Sequence, residues 1–156
     1  MAGFIGEYDC RLDDKGRFAL PSGIKKQLNP ADNETFVVNR GFEEHLNLYP
    51  LKEWEKLMTA VNRKVNAFTE KGRKFLRQLR NGAIPVSLDA NGRLLLPQSL
   101  MQHAGIKKDL MVVGAFDRIE LWDKAKYEQE MKSGSSEFSN LAEELLGSNL
   151  GLEDEQ

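Results

Sequence analysis

One ten-residue stretch occurs twice in this chain. Leu12-Asp13-Asp14-Lys15-Gly16-Arg17-Phe18-Ala19-Leu20-Pro21 returns 76 positions later as Leu88-Asp89-Ala90-Asn91-Gly92-Arg93-Leu94-Leu95-Leu96-Pro97, identical at six of ten places. Identity at one fixed offset marks an internal duplication. In each copy an Arg follows an Asp by four residues across a turn containing Gly. Asp accepts local backbone hydrogen bonds in turns, and Gly adopts positive φ without steric cost. Pro then removes the next ladder donor. The pattern predicts a β-hairpin with Lys15 at its tip and Arg17 just beyond it.

The flanks extend the unit. Tyr8, Cys10 and Leu12 alternate with Asp9 and Arg11, the period of a half-buried strand. Ser22 is placed to N-cap a short helix running to Leu28, closed by Asn29-Pro30. Strands are predicted over 35–39 and 46–49. The second copy predicts a helix over 98–104 with Gly105 as C-cap, then strands over 110–114 and 119–122. Each half is therefore β-β-α-β-β. One such unit is too small to bury its sheet faces, so two are expected to share one core about a pseudo-twofold axis, an α+β fold with flanking helices.

Between the halves, Pro50 sits at a helix start. Trp54, Leu57, Met58, Val61 and Val65 form an amphipathic stripe. A second helix after Asn66 carries Phe68, Phe75, Leu76 and Leu79 and stops at Asn81-Gly82. A further helix over 123–131, a Ser133-Gly134-Ser135-Ser136 linker, a last helix with Phe138, Leu141, Leu145 and Leu146, and an acidic end complete the chain. The resulting segments are 6–52 and 82–125 for the repeats, 53–81 for the connecting helices and 126–156 for the C-terminal part.

The net charge of −2 conceals a division. Residues 1–108 carry 18 Lys and Arg against 12 Asp and Glu, whereas residues 109–156 carry 4 against 12. Residues 63–80 alone hold Arg63, Lys64, Lys71, Arg73, Lys74, Arg77 and Arg80 against Glu70. Such asymmetry suits a polyanion-binding part and a solvating acidic tail, though an uneven solvated surface produces it too. No apolar run approaches a membrane span, and the N-terminus lacks the features of a signal peptide. Cys10 is the sole cysteine, which excludes an internal disulfide and fits a reducing cytoplasm.

No catalytic constellation appears. The two histidines, His45 and His103, show no metal-ligand spacing with Cys10 or a carboxylate, and no nucleotide-binding or nucleophile motif is present. No cofactor, metal or small-molecule substrate is expected, and no enzyme activity. The plain structural account of Asp-x-x-x-Arg is a surface ion pair, worth about 0–1 kcal/mol. It does not explain why Arg stands there twice. A planar guanidinium suits bidentate contact with phosphate or guanine, and a two-stranded ribbon fits the DNA major groove. Lys15 and Arg11, read as lying on the same ribbon, would add phosphate contacts. From the residues alone, DNA binding, a protein-interaction module and an enzyme stand in that order.

The two copies of the motif, together with Leu48-Tyr49-Pro50-Leu51, Glu53-Trp54-Glu55, His103-Ala104-Gly105-Ile106 and Glu120-Leu121-Trp122-Asp123, resemble the MraZ family of bacterial transcriptional regulators of the division and cell-wall gene cluster. The likeness runs from about Gly6 to Lys124; either motif alone resembles only the wider AbrB-like group. The resemblance implies tandem AbrB-like swapped-hairpin repeats and a ring homo-oligomer whose tips engage short G-rich direct repeats of promoter double-stranded DNA, associated with the nucleoid. It places DNA contacts on Asp13, Lys15, Gly16 and Arg17, and on Asp89, Gly92 and Arg93. Lys25 and Met101 depart from the Arg common in the family's short helices, and Asn91 replaces the tip lysine. The first tip is thus expected to be the main reader, with Arg93 secondary. A ring-forming protein-interaction scaffold is the alternative.

Overall fold

A computed structural model describes residues 3–147. The acidic end, residues 153–156, lies outside them. The chain divides into two compact units, Met1–Lys124 and Ala125–Gln156. In the first unit the order is β1 (Glu7–Arg11), β2 (Arg17–Ala19), α1 (Ser22–Lys25), β3 (Thr35–Arg40), β4 (Leu46–Pro50), α2 (Leu51–Lys64), α3 (Glu70–Arg80), β5 (Ile84–Ser87), β6 (Arg93–Leu95), α4 (Gln98–Ala104), β7 (Asp109–Gly114) and β8 (Ile119–Asp123). The β-β-α-β-β order expected of each half is present twice.

The pairing departs from a simple hairpin. β1 does not form a ladder with β2; it runs antiparallel to β7 of the other repeat, while β5 pairs with β3. The six-stranded sheet has the order β1-β7-β8-β4-β3-β5, and β2 pairs with β6 as a separate two-stranded ribbon. Each repeat has thus exchanged its first strand with the other. The crossover is visible at Leu12, whose N–H donates to Lys108 O at 2.8 Å, and at Leu88, whose N–H donates to Glu34 O at 3.1 Å. Exchange extends each repeat's strands into one sheet and buries edges that a lone unit would expose. Arg11 is consequently not on the ribbon of Arg17, contrary to expectation. It faces Asp109 on β7 at 3.4 Å.

One core serves both repeats. Phe36 and Val38, Leu46 and Leu48, Leu110 and Val112, and Ile119 and Leu121 point inward at period two from β3, β4, β7 and β8. They meet Phe18, Leu20, Leu94 and Leu96 from the ribbon and Ile24 and Leu100 from the short helices. The outer edge strands are protected by composition. β5 carries Pro85, which offers no N–H, and β1 exposes Glu7, Asp9 and Arg11.

Local chemistry explains several boundaries. Ser22 is the first residue of α1 rather than its cap; Pro21 occupies the cap position without a side-chain bond, and α1 ends at Lys25, short of Leu28. Gly105 closes α4 at φ 65° as expected. Buried Asp32 accepts the N–H of Lys52 at 2.9 Å, supplying the first turn of α2 with an acceptor that Pro50 lacks. The α2 stripe is half-buried rather than buried, with Trp54 tilted against Tyr49 at 5.7 Å between ring centroids. In α3, Thr69 Oγ1 accepts the N–H of Gly72 at 3.0 Å. Phe68 precedes that helix and is 95% exposed.

In the second unit, α5 (Lys124–Gly134, its first residue belonging to the first unit) continues through a 3-10 turn, Ser135–Glu137, into α6 (Phe138–Leu146). The Ser-Gly-Ser-Ser stretch is therefore helical and not the linker that its composition suggested. No described helix is long and apolar enough to cross a membrane.

Candidate nucleic-acid interface

Each tip is a turn folded around one carboxylate. Asp13 Oδ1 accepts the main-chain N–H groups of Lys15 and Arg17, both at 2.9 Å, and Oδ2 accepts Arg17 Nε at 2.8 Å. The backbone closes the loop through Asp13 N–H to Arg17 O at 2.8 Å and Gly16 N–H to Asp13 O at 3.0 Å. The second copy repeats this arrangement. Asp89 Oδ1 accepts from Asn91 N–H at 2.8 Å and Arg93 N–H at 2.9 Å, and Oδ2 accepts Arg93 Nε at 3.1 Å. Gly16 at φ 85° and Gly92 at φ 72° occupy left-handed backbone that a side chain would strain.

These bonds favour the ionised carboxylates. The N–H of Arg17, followed by its guanidinium and the N–H of Lys15, holds Asp13 at about 2, below its ordinary 3.8. Asp89 is lowered in the same direction, chiefly by the N–H of Arg93. Each Arg spends Nε on its own Asp, which fixes the guanidinium plane and keeps the Nη groups out of that hydrogen bond. A fork held in place loses less freedom on binding than a free one.

The ribbon brings the tips together. Arg17 faces Leu95, Phe18 faces Leu94 and Ala19 faces Arg93 across β2 and β6. Leu20 N–H donates to Gly92 O at 3.1 Å and Leu96 N–H to Gly16 O at 3.0 Å. Arg93 Nη1 lies 3.8 Å from Asp13 Oδ2, so the two copies share a carboxylate. The guanidinium side chains are about equally exposed, Arg17 at 28% and Arg93 at 31%.

Lys15 stands exposed at the first tip, and Arg11 lies apart from the ribbon on β1. Two neighbours were not assigned to the tips from the sequence. A Cβ built on Gly92 would lie 3.2 Å from Lys25 Nζ, and one on Gly16 would lie 3.4 Å from Met101 Sδ. The second tip, which lacks a lysine of its own, therefore has the ammonium of Lys25 beside it. The signal was available: Lys25 and Met101 stand at the same offset of 76 as the tips. Only the exchange of strands shows which tip each one serves.

Elsewhere the polar chemistry is structural. Buried His45 stacks on Trp122 with centroids 4.6 Å apart and shares a hydrogen bond with Asn47 Oδ1 at 3.1 Å. Its nearest carboxylates, Glu43 and Glu120, are 3.8 Å away. Among the described residues no group of three potential ligands could hold a metal ion.

Comparison with known proteins agrees with this architecture. The family model described as "MraZ protein, putative antitoxin-like" matches twice, over residues 4–78 and 79–149. Three similar proteins are each named transcriptional regulator MraZ. That of Christiangramia forsetii is 43% identical over 94% of this chain and 95% of its own. That of Flavobacterium psychrophilum is 40% identical over 94% of each chain. That of Cytophaga hutchinsonii is 44% identical over 94% of this chain and 96% of its own. With both repeats matched and nearly the whole length aligned, the chain belongs to the MraZ family.

Proposed function

We propose that the protein is a sequence-specific DNA-binding regulator of transcription and not an enzyme. Its site is the paired tip of the β2–β6 ribbon, and the carrying observation is the pair of Arg side chains each locked by an Asp. The name shared by its relatives, transcriptional regulator, supports the same reading. A guanidinium presenting its Nη edge matches the O6 and N7 acceptors of guanine in the major groove, which accounts for a G-rich site. Lys15 and Lys25 contact flanking phosphates, which position the ribbon without carrying sequence information. Asp13, Asp89, Gly16 and Gly92 shape the tips; Arg11 adds long-range attraction from β1. The ammonium of Lys25 beside Gly92 supports a share for the second tip alongside the first, since Asn91 carries no charge of its own.

The proposed target is a set of short direct repeats upstream of the division and cell-wall gene cluster, with the protein on the nucleoid in the cytoplasm. Exposed apolar side chains of the first unit, including Phe42, Ile84 and Leu95, support assembly of copies by a head-to-tail contact that closes into a ring. Spaced repeats then meet spaced tips, and linked sites raise avidity. A gel-shift series with the upstream duplex and a composition-matched scrambled duplex tests the reading. Preference for the upstream duplex is expected; equal affinity for both would remove sequence specificity. The scaffold alternative draws on Phe138 and Leu145, exposed on α6. It predicts partner capture that survives nuclease treatment without any DNA preference.

A further inference from the structure

We propose that the outward face of α3 is a second nucleic-acid contact, binding the phosphate backbone of the duplex held at the tips. The inference rests on the DNA-binding reading above and names a surface that the paired tips do not include. Gly72 and Leu76 turn inward from α3, leaving Lys71, Arg73, Lys74, Arg77 and Arg80 on the other side. Arg73, Arg77 and Arg80 follow i, i+4, i+7 spacing, which sets them in one line along the helix.

Little neutralises that line. Lys74 pairs with Glu70 at 3.4 Å, both side chains well exposed, and Arg73 Nη1 donates to Ala67 O at 3.2 Å. Among the described residues no carboxylate forms an ion pair with Arg77 or Arg80. Like charges one helical turn apart repel and destabilise a helix, so this face gains stability from an anionic ligand. Arg contacts phosphate with two parallel N–H groups and needs no base sequence to do so.

The helix is tightly seated and its end is within reach of the tips. A Cβ on Gly72 would overlap Asn66 O, so the first turn of α3 sits directly on the loop before it. Arg80 precedes Asp89 by nine residues, a span of at most about 32 Å even if fully extended. One helical turn of duplex covers about 34–36 Å. The end of α3 thus lies no farther from Asp89 than one turn of duplex, a separation that a single short duplex can span. An anionic membrane fits less well, because interfacial helices insert an apolar face, whereas Leu76 of α3 is buried and Phe75 is the one large apolar side chain that the helix exposes.

The test compares the full-length protein with the variant carrying Arg73→Gln, Arg77→Gln and Arg80→Gln, using the upstream duplex and its scrambled counterpart over a salt series. Affinity for both duplexes is expected to fall by the same factor. The slope of log affinity against log salt should shrink by about 0.9 for each phosphate that the variant no longer neutralises. Arg77→Gln and Arg80→Gln alone should each show a share of that change, which separates the effect from misfolding. Wild-type affinity and slope in all variants would overturn the proposal. So would a fall in assembly mass by light scattering, which would make this face a subunit contact. If wild type prefers the upstream duplex and only the α3 variants behave as wild type, this inference alone fails. If wild type binds neither duplex, both readings fail.

Discussion

Arg93 Nη1 of the second repeat lies 3.8 Å from the same Oδ2 of Asp13 that accepts the Arg17 Nε hydrogen at 2.8 Å in the first. One carboxylate thus steadies two guanidinium groups from different repeats. Asp89, by contrast, pairs with Arg93 and with no second guanidinium among the described residues. Asp13→Asn is expected to weaken binding to the upstream duplex more than Asp89→Asn does. Equal losses in parallel titrations would show that the shared contact does not matter.

The carboxylate of Asp13 also provides a pH signature. Its folded value of about 2 lies below the ordinary 3.8. The charged form is therefore the one that folding favours. The stabilisation is complete above the ordinary value and is lost as pH falls from there through about 2. Carbon-detected NMR of the Asp13 carboxyl should give a midpoint near the lowered value. A midpoint at the ordinary value would contradict the bonding at the tip.

Strand exchange predicts a single cooperative unit. Phe18 and Leu94 face each other across the ribbon, with only 1% and 0% exposure, one from each repeat. Phe18→Ala should cost about 3–5 kcal/mol and Leu94→Ala about 2–5 kcal/mol. The double variant should deviate from additivity, because the two residues are paired neighbours in one core. Denaturant melts of the first unit should move as one transition in either variant. Separate transitions for the two repeats would argue against the shared core.

Gly72 tests how α3 is seated. A solvent-facing helical Gly→Ala replacement ordinarily stabilises by about 1 kcal/mol. Here the added Cβ would overlap the main-chain oxygen of Asn66, so Gly72→Ala should destabilise instead. A thermal midpoint above that of wild type would show that the α2–α3 corner is loosely packed.

Much of this was legible in the sequence. The repeat, the β-β-α-β-β order and the Asp-Arg turns follow from residue types whose preferences are local. Gly105 ends α4 for the same reason. The strand partners were not legible from residue patterning: alternation tells which face of β1 is buried and says nothing of whether β2 or β7 lies alongside. The resemblance to swapped-hairpin proteins carried that expectation. The placement of Arg11 on the ribbon failed for this reason, and the service of Lys25 to the second tip was hidden by it. Composition also misled at Ser133-Gly134-Ser135-Ser136, where neighbouring helices propagate through residues that favour a break.

Reading of DNA by the paired arginines is tested most directly by equilibrium binding of wild type, Arg17→Ala and Arg93→Ala to the upstream and scrambled duplexes across salt concentrations, with assembly mass checked by light scattering. Each Arg variant should lose about 1–3 kcal/mol of discrimination between the duplexes, the value of one bidentate guanine contact, while assembling as wild type does. Unchanged discrimination in both variants would contradict that role.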